Sequence, residues 1–302
     1  MKENTYQKKG VKGRRTTRAV SAAIYIICGL LAVCMLAPFI YIVAGSFATE
    51  KELTERAFFL IPRDPSLKAY EYIWKQGTIF RGLLNSIKIT VLGTIWCMVV
   101  TMLFAYPLSK SHLRGKNLIL NLVIVTMLFS GGMIPYYLVI KSLGMLNKHA
   151  ALIIPAAFSP FNMIIVKKFF SELPIELEEA AQIDGASEWT VFARICLPLS
   201  KPVIASVSLF YAVGFWNDYF QAMIYLQDND MMTVQVMLRQ IITMAQAIQT
   251  DSASFGWDSA VTPPDQAVRM ACTVVATVPI LVVYPFLQKY FAQGVMVGSV
   301  KG

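Results

Sequence analysis

Six stretches of this sequence run for at least sixteen residues without an Asp, Glu, Lys or Arg: residues 19–49, 89–109, 117–140, 149–166, 202–217 and 270–288. In hydrocarbon every backbone N–H and C=O must be satisfied within the chain. A helix of about 20 apolar residues does this while matching a bilayer core of about 30 Å. The six runs therefore read as spanning helices at about 20–47, 83–108, 118–141, 150–171, 203–226 and 269–291. The fold class that follows is all-α, a polytopic membrane protein. Composition agrees: 56% hydrophobic and 15% charged residues give a mean hydropathy of +0.55, too apolar for a soluble domain. No internal repeat, Gly/Ser linker or low-complexity run divides the chain, so residues 1–302 are expected to form one transmembrane domain.

The charges outside the runs set the orientation. Seven basic residues (Lys2, Lys8, Lys9, Lys12, Arg14, Arg15 and Arg18) precede the first run, so the net charge of +9 reads as membrane topology and not as nucleic-acid binding. With this basic tail, residues 1–18, inside, sixteen of the 27 Lys and Arg fall on the inner side. Both termini and the segment between the fourth and fifth runs are then cytoplasmic. The uncharged stretch 19–49 is far longer than the ~7–15-residue core of a signal peptide, so an uncleaved first span is expected. The five cysteines are scattered without a C-x-x-C pair, and the four in apolar runs behave as small hydrophobes. On the outer side, residues 50–82 carry Pro62, Pro65 and several aromatics, and are expected to lie on the membrane face. The outer loop at 227–268 includes residues 231–250, whose interior Gln235, Arg239, Gln240 and Gln246 argue for an amphipathic helix and against a seventh span. A turn around Pro263-Pro264 follows.

Between the fourth and fifth runs lies the most structured polar segment, residues 174–202. It carries Glu176, Glu178, Glu179, Asp184 and Glu188, with Glu172 just before it, so it must be in water. Pro174 suits the first position of a helix, and acids behind it favour the positive end of the helix dipole. A helix over about 174–184 follows, ended by Gly185 in the left-handed conformation. Ser187 caps a second short helix through Trp189, Phe192 and Ile195, and Pro198 is expected to stop it. Ala180 and Ala181 leave one face low enough for another backbone to approach. Ile175, Leu177, Ile183, Trp189 and Phe192 offer more apolar surface than a free loop shows. Either this is an ordinary amphipathic hairpin or a protein docks on it.

The pattern Glu179-Ala180-Ala181, then Asp184-Gly185-Ala186, then Leu197-Pro198 resembles the EAA loop of ABC importer permeases. The surrounding sequence is similar to the carbohydrate-importing group that includes the maltose transporter's permeases. Residues 129–137 with Lys141-Ser142-Leu143-Gly144, and Gln288-Lys289-Tyr290-Phe291 to Gly294, resemble its oligosaccharide and polysaccharide-fragment branch. The resemblance implies a coupling loop that inserts into a cleft of a cytoplasmic ATPase, with Glu178, Glu179, Ala180, Ala181, Asp184, Gly185, Ala186 and Phe192 at the contact and Glu179 facing a basic residue. It further implies a second, similar permease subunit, two ATPase copies holding ATP and Mg, an extracellular solute-binding protein, a sugar substrate and a bacterial cell membrane. ATP-driven alternating access would be the mechanism.

Chemistry in the chain itself is sparse. There is no G-x-x-x-x-G-K-[ST] phosphate loop, no nucleophile with a base at recognisable spacing and no Cys/His cluster with metal-ligand spacing; His112 and His149 are isolated. Neither catalysis nor a cofactor or metal in this chain is expected. Two stretches are candidates for a substrate path. In Trp216-Asn217-Asp218-Tyr219, aromatic faces stand beside an amide and a carboxylate, which suits a sugar, and equally suits an interfacial aromatic belt with a solvated acid. In the third run, Gly131, Gly132 and Pro135 before Tyr136 can open the helix onto a pathway, or can let two helices pack closely. Prolines 38, 107, 135, 155, 279 and 285 fit bent helices around a cavity, and also the general abundance of proline in membrane helices. The alternative is an ion-gradient-driven secondary transporter of a small polar solute. That class predicts intramembrane carboxylate pairs or inverted repeats, whereas one marginal acid, Asp218, stands in a run here.

Overall fold

The computed structural model describes residues 12–129, 131–251 and 266–299; the basic tail as far as residue 11 and the Pro263-Pro264 turn lie outside the described residues. Regular structure among the described residues is helical throughout. Three helical segments are long and apolar enough to cross a membrane: Val20–Ser46, Thr78–Ser109 and Gln266–Val283. Three bent helix pairs bring the number to as many as six.

The chain divides into two compact units. The first comprises residues 1–70 with 265–274. Its helix α1 (Lys12–Ser46) exposes apolar side chains from Val20 to Val43, as a helix that is hydrophobic all round does in lipid. Burial begins at Ala44 and Ser46, where Met270 packs so closely on Gly45 that no β-carbon would fit. The segment after α1 is organised by one acid. Helix α2 (Glu50–Glu55) is capped by Thr49 and buries Glu52. The Glu52 carboxylate accepts from the N–H of Arg63 (3.0 Å to each oxygen) and of Asp64 (3.4 Å) and pairs with the Arg56 guanidinium, which lies 5.0 Å from the Phe59 ring centre. The Arg63 N–H holds this carboxyl below the usual range against the opposing effect of burial, helped by Asp64 and Arg56. Tyr41 stacks on Phe58 at 5.3 Å, and the Ser46 and Tyr70 hydroxyls meet at 2.8 Å.

The second unit, residues 71–264 with 275–302, is built around one long helix. After the amphipathic α3 (Lys68–Gln76) comes α4 (Thr78–Ser109), then α5 (Lys116–Leu128), α6 (Met133–Ser142), α7 (Ala150–Ile153) and α8 (Pro160–Ser171). The short helices α9 (Ile175–Ile183), α10 (Glu188–Val191) and α11 (Leu197–Leu199) lead into α12 (Lys201–Asn217), α13 (Phe220–Tyr225) and α14 (Val234–Asp251), and α15 (Gln266–Ser299) belongs to the first unit as far as residue 274 and to the second beyond it. Helix α4 packs on α7, α8, α12 and α14. Its face toward α12 is specified at two points: Phe215 lies on Gly93, where a β-carbon would come within 2.6 Å of the ring, and Thr101 and Tyr211 share a buried hydrogen bond of 2.7 Å. Cys97, Met98, Met163, Val166, Phe170 and Val207 fill the core between them.

The interiors of the third to fifth expected spans differ from continuous helices. Residues 118–141 break between α5 and α6; 150–171 bend by 47° at Phe158 and Ser159, where Ser159 caps α8 and Pro160 enters its first turn; and 203–226 breaks after Asn217. The outer amphipathic helix expected at 231–250 is α14.

Candidate functional site

The loop at 174–202 begins with α9, whose first turn carries Glu176 and Glu178. It ends with Gly185 at φ +80°: the Gly185 N–H reaches the Gln182 carbonyl at 3.0 Å and the Ala186 N–H reaches that of Ala181 at 2.9 Å. This paired ending needs a left-handed residue, which glycine adopts without strain. Ser187 caps α10 by accepting from the Thr190 N–H at 3.3 Å. Pro198, expected to stop the second helix, does not. The chain widens into a π turn at residues 192–196, with the Leu197 N–H bonded to the Phe192 carbonyl, and continues through Pro198 to Leu199. The wide turn has already displaced the usual hydrogen-bond ladder, so the missing proline N–H costs little there. Reversal comes at Ser200, where the helical path bends by 80° into α12.

Neighbouring side chains of this loop differ in exposure. Glu178 turns inward and forms an ion pair with Lys110 at the end of α4, the two side chains only 16% and 11% exposed. The Lys110 ammonium also lies 4.3 Å from the centre of the Tyr106 ring. The Tyr106 hydroxyl donates to Glu188 at 2.9 Å, and the other Glu188 oxygen accepts from the Gln182 amide at 3.1 Å. One connected set of side chains on α4 thus holds α9 and α10 together. Phe192 is buried beneath them, 4.8 Å from the Tyr106 ring, so it anchors the loop and is no part of its open surface. Ala181 and Ala186 are half-buried. Glu179, Ala180, Asp184 and Gly185 are exposed, beside Ile183 and Trp189 at 86% and 64% exposure. A cleft of about 280 Å³ between the end of α4 and α9 is lined by Lys110, His112, Ser171, Glu178 and Glu179, among others.

The second set of candidates also separates. Trp216 is buried, and among the described residues its indole N–H finds no acceptor, so its ring is not open for stacking on a sugar. Asn217 is exposed and Tyr219 half-buried. Asp218 closes α12, and its carboxylate accepts from the Gln221 N–H at 3.1 Å to begin α13. In the third run, among the described residues nothing comes within 4 Å of a β-carbon placed on Gly131, and for Gly132 only Pro135 does. Gly132 has φ +82° and ψ 158°, a conformation closed to other residues. These glycines interrupt the helix, and among the described residues they do not pack it against a neighbour. The ring of Tyr136 lies 6.3 Å from that of Tyr225. Two stretches far apart in sequence therefore meet through Tyr225, which sequence reading does not single out.

A further cluster also escapes the sequence. Asn147, at φ 58°, accepts from the N–H groups of Gln227 and Asp228 at 3.2 and 3.0 Å and donates to the Asp228 carboxylate. His149 bonds the Met231 carbonyl, Arg81 pairs with Asp230, the Asn85 amide donates to the carbonyls of Asp230 and Met232, and the Ser86 hydroxyl accepts from the Val234 N–H. Side chains from α4 and the α6–α7 connection fix the segment 226–234 by its backbone.

Residues 10–297 match the family model described as the binding-protein-dependent transport system inner membrane component. The chain belongs to that family. It is 55% identical to Protein LplC of Bacillus subtilis (strain 168) over 88% of this chain and 89% of that one. The polygalacturonan/rhamnogalacturonan transport system permease protein YtcP of the same organism is 49% identical over 89% and 93%. Among solved structures, a bacterial ABC transporter involved in the import of the acidic polysaccharide alginate superposes with a TM-score of 0.81 at 30% identity, over 96% of this chain and 100% of that one. For an inner membrane component of a binding-protein-dependent system, the side-chain set gathered on α4 belongs to a transport subunit. Membership also decides against the ion-gradient-driven alternative.

Proposed function

We propose that the chain is one of two permease subunits of a bacterial ABC importer that moves an oligosaccharide into the cell by ATP-driven alternating access. Its cytoplasmic 174–202 loop docks on a separate ATPase that binds ATP and Mg, and an extracellular solute-binding protein delivers the sugar. The observation that carries the reading is the outward face of the loop. Ile183 and Trp189 are exposed beside Glu179, while the rest of the loop is fastened to α4 from behind. An exposed apolar face on a rigidly held polar segment is what a protein partner covers. Both termini are cytoplasmic by the distribution of Lys and Arg. For the sugar, the opened helix at Gly131 and Gly132, with Tyr136, Tyr225 and Asp218, forms the path in which aromatic faces and a carboxylate receive hydroxyl groups. Relatives named for polygalacturonan and alginate make fragments of acidic polysaccharides the first ligands to screen on the partner solute-binding protein.

The test is recovery of the ATPase with the permease from membranes carrying Gly185→Asp. A β-carbon at Gly185 meets open space, so the substitution leaves packing alone, but it forces φ +80° on an L residue at about 1 kcal/mol or more and sets a new charge on the docking face. The variant is expected to insert normally and to lose the ATPase. Full retention of the ATPase and of substrate-stimulated hydrolysis would refute the docking role.

A further inference from the structure

The loop meets α4 through non-covalent contacts made by side chains at the end of α4. Lys110 and Glu178 are 68 positions apart, whereas the loop's covalent continuations are α8 on one side and α12 on the other. Yet α4 is the helix on which α7, α8, α12 and α14 all pack. A displacement of the loop can act directly on α4 only through the contacts at its last turns.

Those contacts are of two kinds. Helix α10 and the turn after it are held by Phe192 in the core and by the Tyr106–Glu188 hydrogen bond. Helix α9 carries no fully buried side chain, with only Ala181 packed half-buried against the core, and the Lys110–Glu178 pair is its direct polar link to the end of α4. Both partners are shielded from water, the ammonium rests against Tyr106, and the Cys196 thiol lies 3.6 Å from the second Glu178 oxygen. A shielded, charge-assisted pair persists where an exposed one would exchange with solvent. Breaking it leaves α10 anchored and removes the direct polar bond between α9 and the end of α4.

We propose that the Lys110–Glu178 ion pair is the joint that transmits movement of the loop to α4, making Lys110 a positioning residue for coupling and not part of the ATPase contact. The inference rests on the reading of the loop as the ATPase dock. It assigns Glu178 a role different from that of its neighbour Glu179, which is exposed.

The experiment uses the full importer in proteoliposomes, measuring ATPase recovery, hydrolysis and sugar uptake. In Lys110→Met, ATPase recovery is expected to stay within about twofold of the unaltered complex and hydrolysis to continue, while sugar moved per ATP falls roughly tenfold. Lys110→Arg, which keeps the charge and can still lie over Tyr106, is expected to couple normally. The exchanged pair Lys110→Glu with Glu178→Lys should recover at least a third of the lost uptake. A merely structural role would lower assembly and uptake together and would not be rescued by exchange. Unchanged uptake per ATP in Lys110→Met, or an exchanged pair no better than the single variant, overturns the inference while leaving the docking role intact. If Lys110→Met loses the ATPase altogether, Lys110 belongs to the docking contact and the inference falls. Failure of the unaltered chain to retain the ATPase overturns the docking role, and the inference with it.

Discussion

At its first turns α4 holds residues 230–234 by reaching for their backbone, with Asn85 on two carbonyls and Ser86 on an N–H; at its last turns it holds the 174–202 loop chiefly side chain to side chain, through Lys110 on Glu178 and Tyr106 on Glu188, whose carbonyl Tyr106 also reaches at 3.4 Å. The Arg81–Asp230 pair at the first end is 58% and 75% exposed, whereas the Lys110–Glu178 pair at the other is nearly dry. The two grips serve different ends. Backbone bonds fix a path regardless of what the segment's side chains face. Side-chain bonds on the inward face of a helix leave its outward face free, and at the loop that free face is apolar, with Ile183 and Trp189 uncovered. Exposed pairs contribute little to stability, so the shielded end is where a mechanical link belongs.

The comparison can be broken most sharply by two aromatics three residues apart. Phe192→Ala removes a buried ring packed on Tyr106 and Phe170 and is expected to cost about 3–5 kcal/mol, read as a lowered unfolding midpoint in detergent. Trp189→Ala truncates an exposed ring and should leave stability within about 0.5 kcal/mol, while weakening ATPase binding tenfold or more in a titration. Equal effects of the two on stability would mean that the loop has no free face.

At the opposite end, Asn147→Ala is expected to cost about 2–3 kcal/mol, from lost hydrogen bonds and from a left-handed backbone imposed on alanine. Asn147→Gly keeps the backbone free of strain and should lose less. Proteolysis within 226–234 and thermal unfolding separate the variants, and neither should alter ATPase recovery.

How much of this was legible in the sequence follows from where each partner lies. The charge-free runs mark the spanning segments because an uncharged helix is what hydrocarbon requires. The Gly185 ending and the Ser187 cap are local devices whose residues sit within a few positions of one another, so they too can be read directly. Whether Gly131 and Gly132 open a helix or pack one depends on what stands opposite, and no local pattern reports that. Glu178 and Glu179 are adjacent and alike in chemistry; what separates them is Lys110, far off in the chain. Phe192 and Trp216 look like surface aromatics beside polar residues, yet both are buried, because each packs on helices from other parts of the sequence. The Asn147 cluster draws on three distant segments and has no linear signature.

The smallest expected effect lies between α1 and α4, where Glu52 is a third kind of anchor, a buried acid gripping backbone N–H groups. Its folded pKa is depressed below the ordinary value of 4.5, so its contribution is fully present above that value and is lost as pH falls through the folded pKa. Thermal unfolding between about pH 5 and pH 3 should therefore steepen toward acid in the unaltered chain and flatten in Glu52→Gln. Parallel curves for the two would remove Glu52 from the acid response.

The outward face of the loop is the centre of the comparison, and labelling reads it directly. In a chain whose five cysteines are replaced, Ile183→Cys should react rapidly with a water-soluble maleimide applied from the cytoplasmic side when the permease is alone. Addition of the ATPase should slow that reaction about tenfold or more. Equal labelling rates with and without bound ATPase would contradict the docking of this face on its partner.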